Sequence, residues 1–185
     1  MRVLGIDPGT RVCGYACVEL QQRERAGLEA RPALQVRNAV HRSGSGKPRL
    51  IGAGVFDLGG SRKPLEQRLA ELATAIEACV DRFEPECVAL EEAFFGKSVQ
   101  SALRLGEARG VVLLVAGRRE LRVHQYAPAT VKLRVAGHGA ASKEALTRMV
   151  EQALGVSFED LPRDVGDATA IALCHTSALQ ACYGL

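Results

Sequence analysis

The sequence predicts an α/β domain built on a mixed five-stranded sheet with helices on both faces. Three short apolar runs follow one another at the amino terminus. A long segment with helical spacing comes next, and two further apolar runs are then set apart by helical stretches. Strands that succeed one another directly pair antiparallel, whereas strands joined through a helix pair parallel, so one sheet holds both kinds of ladder.

The first strand is 2–7, Arg-Val-Leu-Gly-Ile-Asp, a buried run ended by Pro8-Gly9. The second covers 14–20 and the third 50–58, completing an antiparallel meander. Leu65, Leu69, Leu72, Ile76, Val80 and Phe83 recur at helical spacing, with Pro64 suited to the first turn and Pro85 closing the helix. Cys87-Val88-Ala89-Leu90-Glu91 reads as the fourth strand. A helix over 98–117 follows, in which Gly106 and Gly110 allow another backbone to come close. Residues 121–127 form the fifth strand and 128–135 a short helix. Ser142 caps a helix over 143–154, and a last helix runs from about Asp164 to Cys182.

At 185 residues, with 47% hydrophobic and 24% charged residues, the chain has the length and composition of a single globular domain, 1–185. No apolar run approaches the roughly 18 residues of a membrane span. With no export signal at the amino terminus, a cytoplasmic address is expected. The six cysteines make no CxxC pair and no zinc-type Cys/His spacing, so they read as reduced, buried thiols. Without Trp, and with three Tyr and five Phe, the chain is poorly equipped to stack many unpaired bases in succession.

The net charge of +3 conceals an uneven distribution. Residues 21–49 carry seven basic against two acidic side chains, and 118–143 carry six against one. Both segments have two readings, a phosphate-binding surface or solvated loops, and charge alone does not choose between them. The first includes Ser43-Gly44-Ser45-Gly46 and reads as a basic loop or hairpin insertion at about 21–49.

Four acids stand where ligands collect in α/β sheets. Asp7 and Glu91 each end an apolar strand, and Asp164 and Asp167 lie three apart at the head of the last helix, on nearly one face. Alone, each has an ordinary reading: Asp7 opening a turn, Glu91 at an exposed strand end, Asp164 favoured by the helix dipole. Together, like charges require neutralisation, which a divalent cation provides. Oxygen-only ligation suits Mg²⁺ or Mn²⁺, and a pair of such ions about 3.5 to 4 Å apart supports phosphodiester hydrolysis.

The motifs resemble those of the RuvC family of Holliday-junction resolvases. Gly5-Ile6-Asp7-Pro8-Gly9-Thr10-Arg11 with Gly14-Tyr15 is similar to that family's first strand and turn, and Glu91-Glu92-Ala93-Phe94 to its second acidic motif. Leu105-Gly106-Glu107-Ala108-Arg109-Gly110 resembles its central helix, Val131-Lys132 with Lys143 its basic positions, and 164–172 its closing acidic helix.

The resemblance implies an RNase H-like fold and a homodimeric, Mg²⁺-dependent endonuclease that makes paired nicks in four-way DNA junctions alongside a branch-migration motor. Asp7, Glu91, Asp164 and Asp167 would hold two Mg²⁺ ions, with Mn²⁺ able to substitute, and Asp7 would be shared between them. Lys132 and Lys143 would contact phosphate near the scissile bond. Arg11 is well placed for DNA just after the Asp7 turn. Phe94 would stack on a base at the crossover; its other reading is a core residue beside Phe95. A His can replace one of the last acids in this family, but Asp164 fills that place here, which leaves His175 a buried or supporting role and His138 unassigned. Arg104 and Arg109 read either as phosphate ligands or as a solvated helix face. The helix from Leu103 to Leu114 is the first candidate for a dimer surface. Competing readings are an RNase H-like nuclease acting on structured RNA, a non-catalytic junction-binding protein, and an actin-like ATPase, for which 185 residues leave little room.

Overall fold

The structure, a computed structural model, describes residues 1–21, 46–92 and 98–183. Strands β1 (Arg2–Asp7), β2 (Val12–Leu20), β3 (Pro48–Asp57), β4 (Cys87–Glu91) and β5 (Arg122–Tyr126) form one sheet in the order β3-β2-β1-β4-β5. The β1–β2 and β2–β3 pairs are antiparallel; the β1–β4 and β4–β5 pairs are parallel. The mixed sheet anticipated from the connections is therefore present. β3 begins two residues earlier than the sequence reading, at Pro48, which pairs with Leu20. Proline is tolerated there because β3 is an edge strand and Pro48 its first residue.

Helices α1 (Leu65–Phe83) and α2 (Val99–Arg118) pack on one face of the sheet, against Leu4, Ile6, Val88 and Leu90. Helices α3 (Pro128–Ala136), α4 (Lys143–Leu154) and α5 (Arg163–Tyr183) belong to the other core, with Val3, Val18, Cys87 and Ala89. Successive strand residues point to opposite faces, so cover on both sides produces the continuous apolar runs that mark β1 and β4 in the sequence. Ser142 caps α4 as expected, its Oγ accepting from the Ala145 N–H at 3.2 Å.

Two glycines set the height of α5 above the sheet. A Cβ on Gly5 would lie 2.3 Å from the Ala168 carbonyl oxygen, and one on Gly14 would lie 2.1 Å from that of Asp164. The helix therefore rests on bare backbone of β1 and β2. By contrast, a Cβ on Gly106 or Gly110 would meet nothing within 4 Å. Among the described residues the close approach expected at these two positions is not made, because they lie on the outer side of α2.

Candidate active site

Asp7 and Glu91 end adjacent parallel strands, with Ile6 and Leu90 paired in register just before them. The two carboxyl groups thus leave the same edge of the sheet. Gly14, the register partner of Asp7, lies under the Asp164 backbone, so the seating of α5 brings Asp164 and Asp167 to that edge. Burial pushes the Asp7 carboxyl up to about 7, reinforced by the charges of Asp167, Glu91 and Asp164 and opposed by Lys143. Burial likewise raises Glu91, helped by Asp167 and countered by Lys143 and Lys132. Four acids distant in the chain share one electrostatic site.

Lys143 stands at the first position of α4, directly after the Ser142 cap, and its Nζ donates to Asp167 Oδ2 at 2.9 Å. That bond raises the Lys143 ammonium above its ordinary range. Glu91, Asp167, Lys132 and Lys143 line one cleft, with Val131 and Ile171 among its apolar walls. Such a cleft has acids to hold a cation and ammonium groups to meet a phosphate. The donors are carboxylate oxygens, which suit a hard divalent ion.

Arg11 is exposed in the turn after β1 and lines a second cleft together with Thr10, Arg68, Gln100 and Arg104. Arg68 was missed by the sequence reading. It is buried, donates from Nη1 to the Thr10 carbonyl at 2.6 Å, and has no partner for Nε among the described residues. Its signal was present as a basic residue four before Leu72 on the apolar stripe of α1. Arg104 pairs with Glu107 at 3.0 Å.

Arg109 corrects both of its readings. It is buried, donates from Nη1 to the Glu91 carbonyl, and reaches Gln125 Oε1 from Nη2 at 2.6 Å. It ties the end of β4 to β5 and is neither solvated nor open to a phosphate. Phe94 and the greater part of the basic segment at 21–49 lie outside the described residues. His138 is exposed in the turn after α3. The Nδ1 of His175 meets the Tyr126 hydroxyl rather than a carboxylate, and Tyr126 is the register partner of Glu91. Cys87, His124 and His175 gather on this face of the sheet, their ligand atoms within 4.8 Å of one another. The sequence reading found no such set because its members come from three separate elements.

A sheet of this order, with acids at the tips of two neighbouring strands and at the head of the helix crossing them, defines a nuclease of the RNase H-like class. Residues 32–175 match the family described as crossover junction endodeoxyribonuclease RuvC, and the chain belongs to that family, whose members are metal-dependent nucleases. A curated relative of that name from Moorella thermoacetica is 39% identical over 181 residues, covering 96% of this chain and 92% of its own. One from Heliobacterium modesticaldum is 37% identical, covering 97% and 96%. Among solved structures, T. thermophilus RuvC in complex with Holliday junction substrate superposes with a TM-score of 0.78 at 32% identity, covering 98% of this chain and 96% of that one. The yeast mitochondrial Holliday junction resolvase Ydc2, at 15% identity and a TM-score of 0.60, shares the fold.

Proposed function

We propose that this chain is a homodimeric, Mg²⁺-dependent endonuclease that resolves four-way DNA junctions by paired, symmetric nicks. The observation that carries the reading is the convergence of Asp7, Glu91, Asp164 and Asp167 beside Lys143 and Lys132. A partly buried acid with three acidic neighbours fits a divalent cation, and the flanking ammonium groups fit a phosphodiester. Family membership and the junction-bound T. thermophilus relative support the substrate.

In this reading the four acids hold the metal. Bound there, two Mg²⁺ ions, or Mn²⁺ in their place, supply Lewis acidity toward the attacking water and the leaving oxygen. Lys143 and Lys132 orient the scissile phosphate, and Arg11 with its basic cleft receives a neighbouring phosphate. Phe94 stacks on a base at the crossover, an interaction worth roughly 1 to 3 kcal/mol. His175 supports the site from behind, through Tyr126. A four-way junction offers two equivalent strands, which a twofold dimer matches. The dimer surface is α2, whose outer side leaves Val99 80% and Leu103 63% exposed. The remaining parts of the reading are one nuclease domain, a cytoplasmic setting and a branch-migration motor as partner. No helix of the described residues is long and apolar enough to cross a membrane.

The test is cleavage of a synthetic four-way junction in Mg²⁺, beside a structured RNA, by the wild type and Asp7→Asn. The wild type should cut the junction; Asp7→Asn should bind it with cutting abolished. Cleavage of the RNA alone, or loss of binding together with cutting, overturns the reading.

A further inference from the structure

Cys87, His124 and His175 are drawn to one point by the pleat of the sheet and the fall of α5. Cys87 and Glu91 lie on the same face of β4, four residues or about 13 Å apart. His175 follows Asp167 on α5 by eight residues, about 12 Å of helix. Both elements thus carry an acid at one end and a metal-binding side chain lower down. His124 stands opposite Ala89 in the β4–β5 ladder, so it shares a sheet face with Cys87, two residues before Ala89. The His124 and His175 rings stack with centroids 4.1 Å apart, and the ligand atoms of all three residues lie within 4.8 Å of one another.

His175 supplies a second, independent observation. It is only 2% exposed, and while its Nδ1 meets the Tyr126 hydroxyl at 2.5 Å, its Nε2 has no hydrogen-bond partner among the described residues. A buried polar atom without a partner costs free energy. With the ring proton on Nδ1 and donated to the Tyr126 oxygen, Nε2 presents a lone pair. Metal-ligating histidines are commonly held this way, one nitrogen fixed by an outer partner and the other free to coordinate.

We propose that Cys87, His124 and His175 form a binding site for a Zn²⁺ ion, distinct from the carboxylate site and pinning α5 to β4 and β5. One thiolate and two imidazoles are borderline-soft donors that favour Zn²⁺ over Mg²⁺. Zinc bond lengths of about 2.0 to 2.3 Å space ligand atoms about 3.5 Å apart in a tetrahedron, so the farthest pair must close by about 1 Å. His124, the one partly buried member of the three, is the side chain with most freedom to rotate inward. Binding converts the Cys87 thiol to a thiolate with release of its proton to solvent, and water fills the fourth position. Arg122 near His124 and Arg134 near His175 oppose the ion, and the thiolate offsets part of that repulsion. Because α5 also carries Asp164 and Asp167, the ion would stiffen the helix that presents them.

The test uses the full chain stripped of metal and titrated with Co²⁺ as a spectroscopic probe. One thiolate-to-cobalt charge-transfer band per chain is expected, retained in Asp7→Asn and lost in Cys87→Ser. Absence of the band, or its survival in Cys87→Ser, overturns the site. His124→Gln provides a second measurement should Cys87→Ser fail to fold. Zn²⁺ affinity, read by competition with a chromophoric chelator, should fall at least tenfold while the melting temperature in chelator stays unchanged. Zn²⁺ binding by His124→Gln as tight as the wild type's overturns the proposal.

Discussion

Lys143 and Asp167 join the heads of α4 and α5, the ammonium donating to Oδ2 at 2.9 Å. The lysine side chain is 68% exposed, so solvent screening leaves the pair worth at most about 1 kcal/mol of stability. Its weight lies in the site, where the same ammonium favours the charged forms of Asp7 and Glu91, though less strongly than a divalent metal would. Lys143→Ala should therefore melt within about 4 °C of the wild type. Removing a cation from among four acids should tighten Mg²⁺ binding about threefold or more, while junction cleavage falls about 100-fold. Calorimetric Mg²⁺ titration beside a single-turnover cleavage assay checks both directions, and weaker Mg²⁺ binding would show that Lys143 positions Asp167 for the metal instead.

Asp7 gives stability without metal a definite pH dependence. Its carboxyl is raised from 3.8 to about 7 in the folded chain, so between these values the folded state holds a proton that the unfolded state has lost. The sign is a cost. It is absent below pH 3.8, grows as pH rises, and is complete above about 7, where it approaches roughly 4 kcal/mol at 1.36 kcal/mol per unit. In chelator, Asp7→Asn should be more stable than the wild type at pH 8 and close to it at pH 4. Urea denaturation at the two values measures the difference; equal stabilities at pH 8 would mean that the carboxyl carries no such strain.

Most elements were legible because both faces of the sheet are covered, which writes its strands as apolar runs and its helices as stripes. The acids were legible for the same reason: β1 and β4 end in charge where burial ends. Arg109 was not, because its partners are a backbone carbonyl and Gln125 on another strand, contacts that leave no spacing in the chain. His124 escaped notice likewise, since its meeting with His175 depends on how α5 crosses β5. The glycines of α2 invite a partner backbone, and none of the described residues supplies one.

Gly14 tests how strictly the closing helix must be seated. An alanine Cβ there would lie 2.1 Å from the Asp164 carbonyl oxygen, a backbone atom that moves only if α5 moves. Gly14→Ala should cost about 1 to 3 kcal/mol in urea denaturation, the range of overpacking. Cleavage should fall about tenfold or more, because Asp164 shifts against Asp7, while junction binding stays within about threefold. Wild-type cleavage in Gly14→Ala would show that the four acids tolerate displacement of the helix.

On the outer side of α2, Val99, Leu103, Gly106, Gly110 and Leu113 recur at alternating steps of four and three, the seam of two packed helices. Leu103 and Leu113 are 63% and 40% exposed, and none of the described residues stands above the backbones of the glycines between them. A second copy of the helix would cover both, its backbone approaching where no Cβ stands. Leu103→Glu places like charges across a twofold seam, so its mass by light scattering at micromolar concentration should fall from two chains to one with the melting curve still cooperative. On a four-way junction this variant should accumulate singly nicked product, because paired cutting requires both sites on one substrate. A wild-type chain that is already monomeric when bound to the junction, or a Leu103→Glu variant that remains dimeric, removes α2 as the interface.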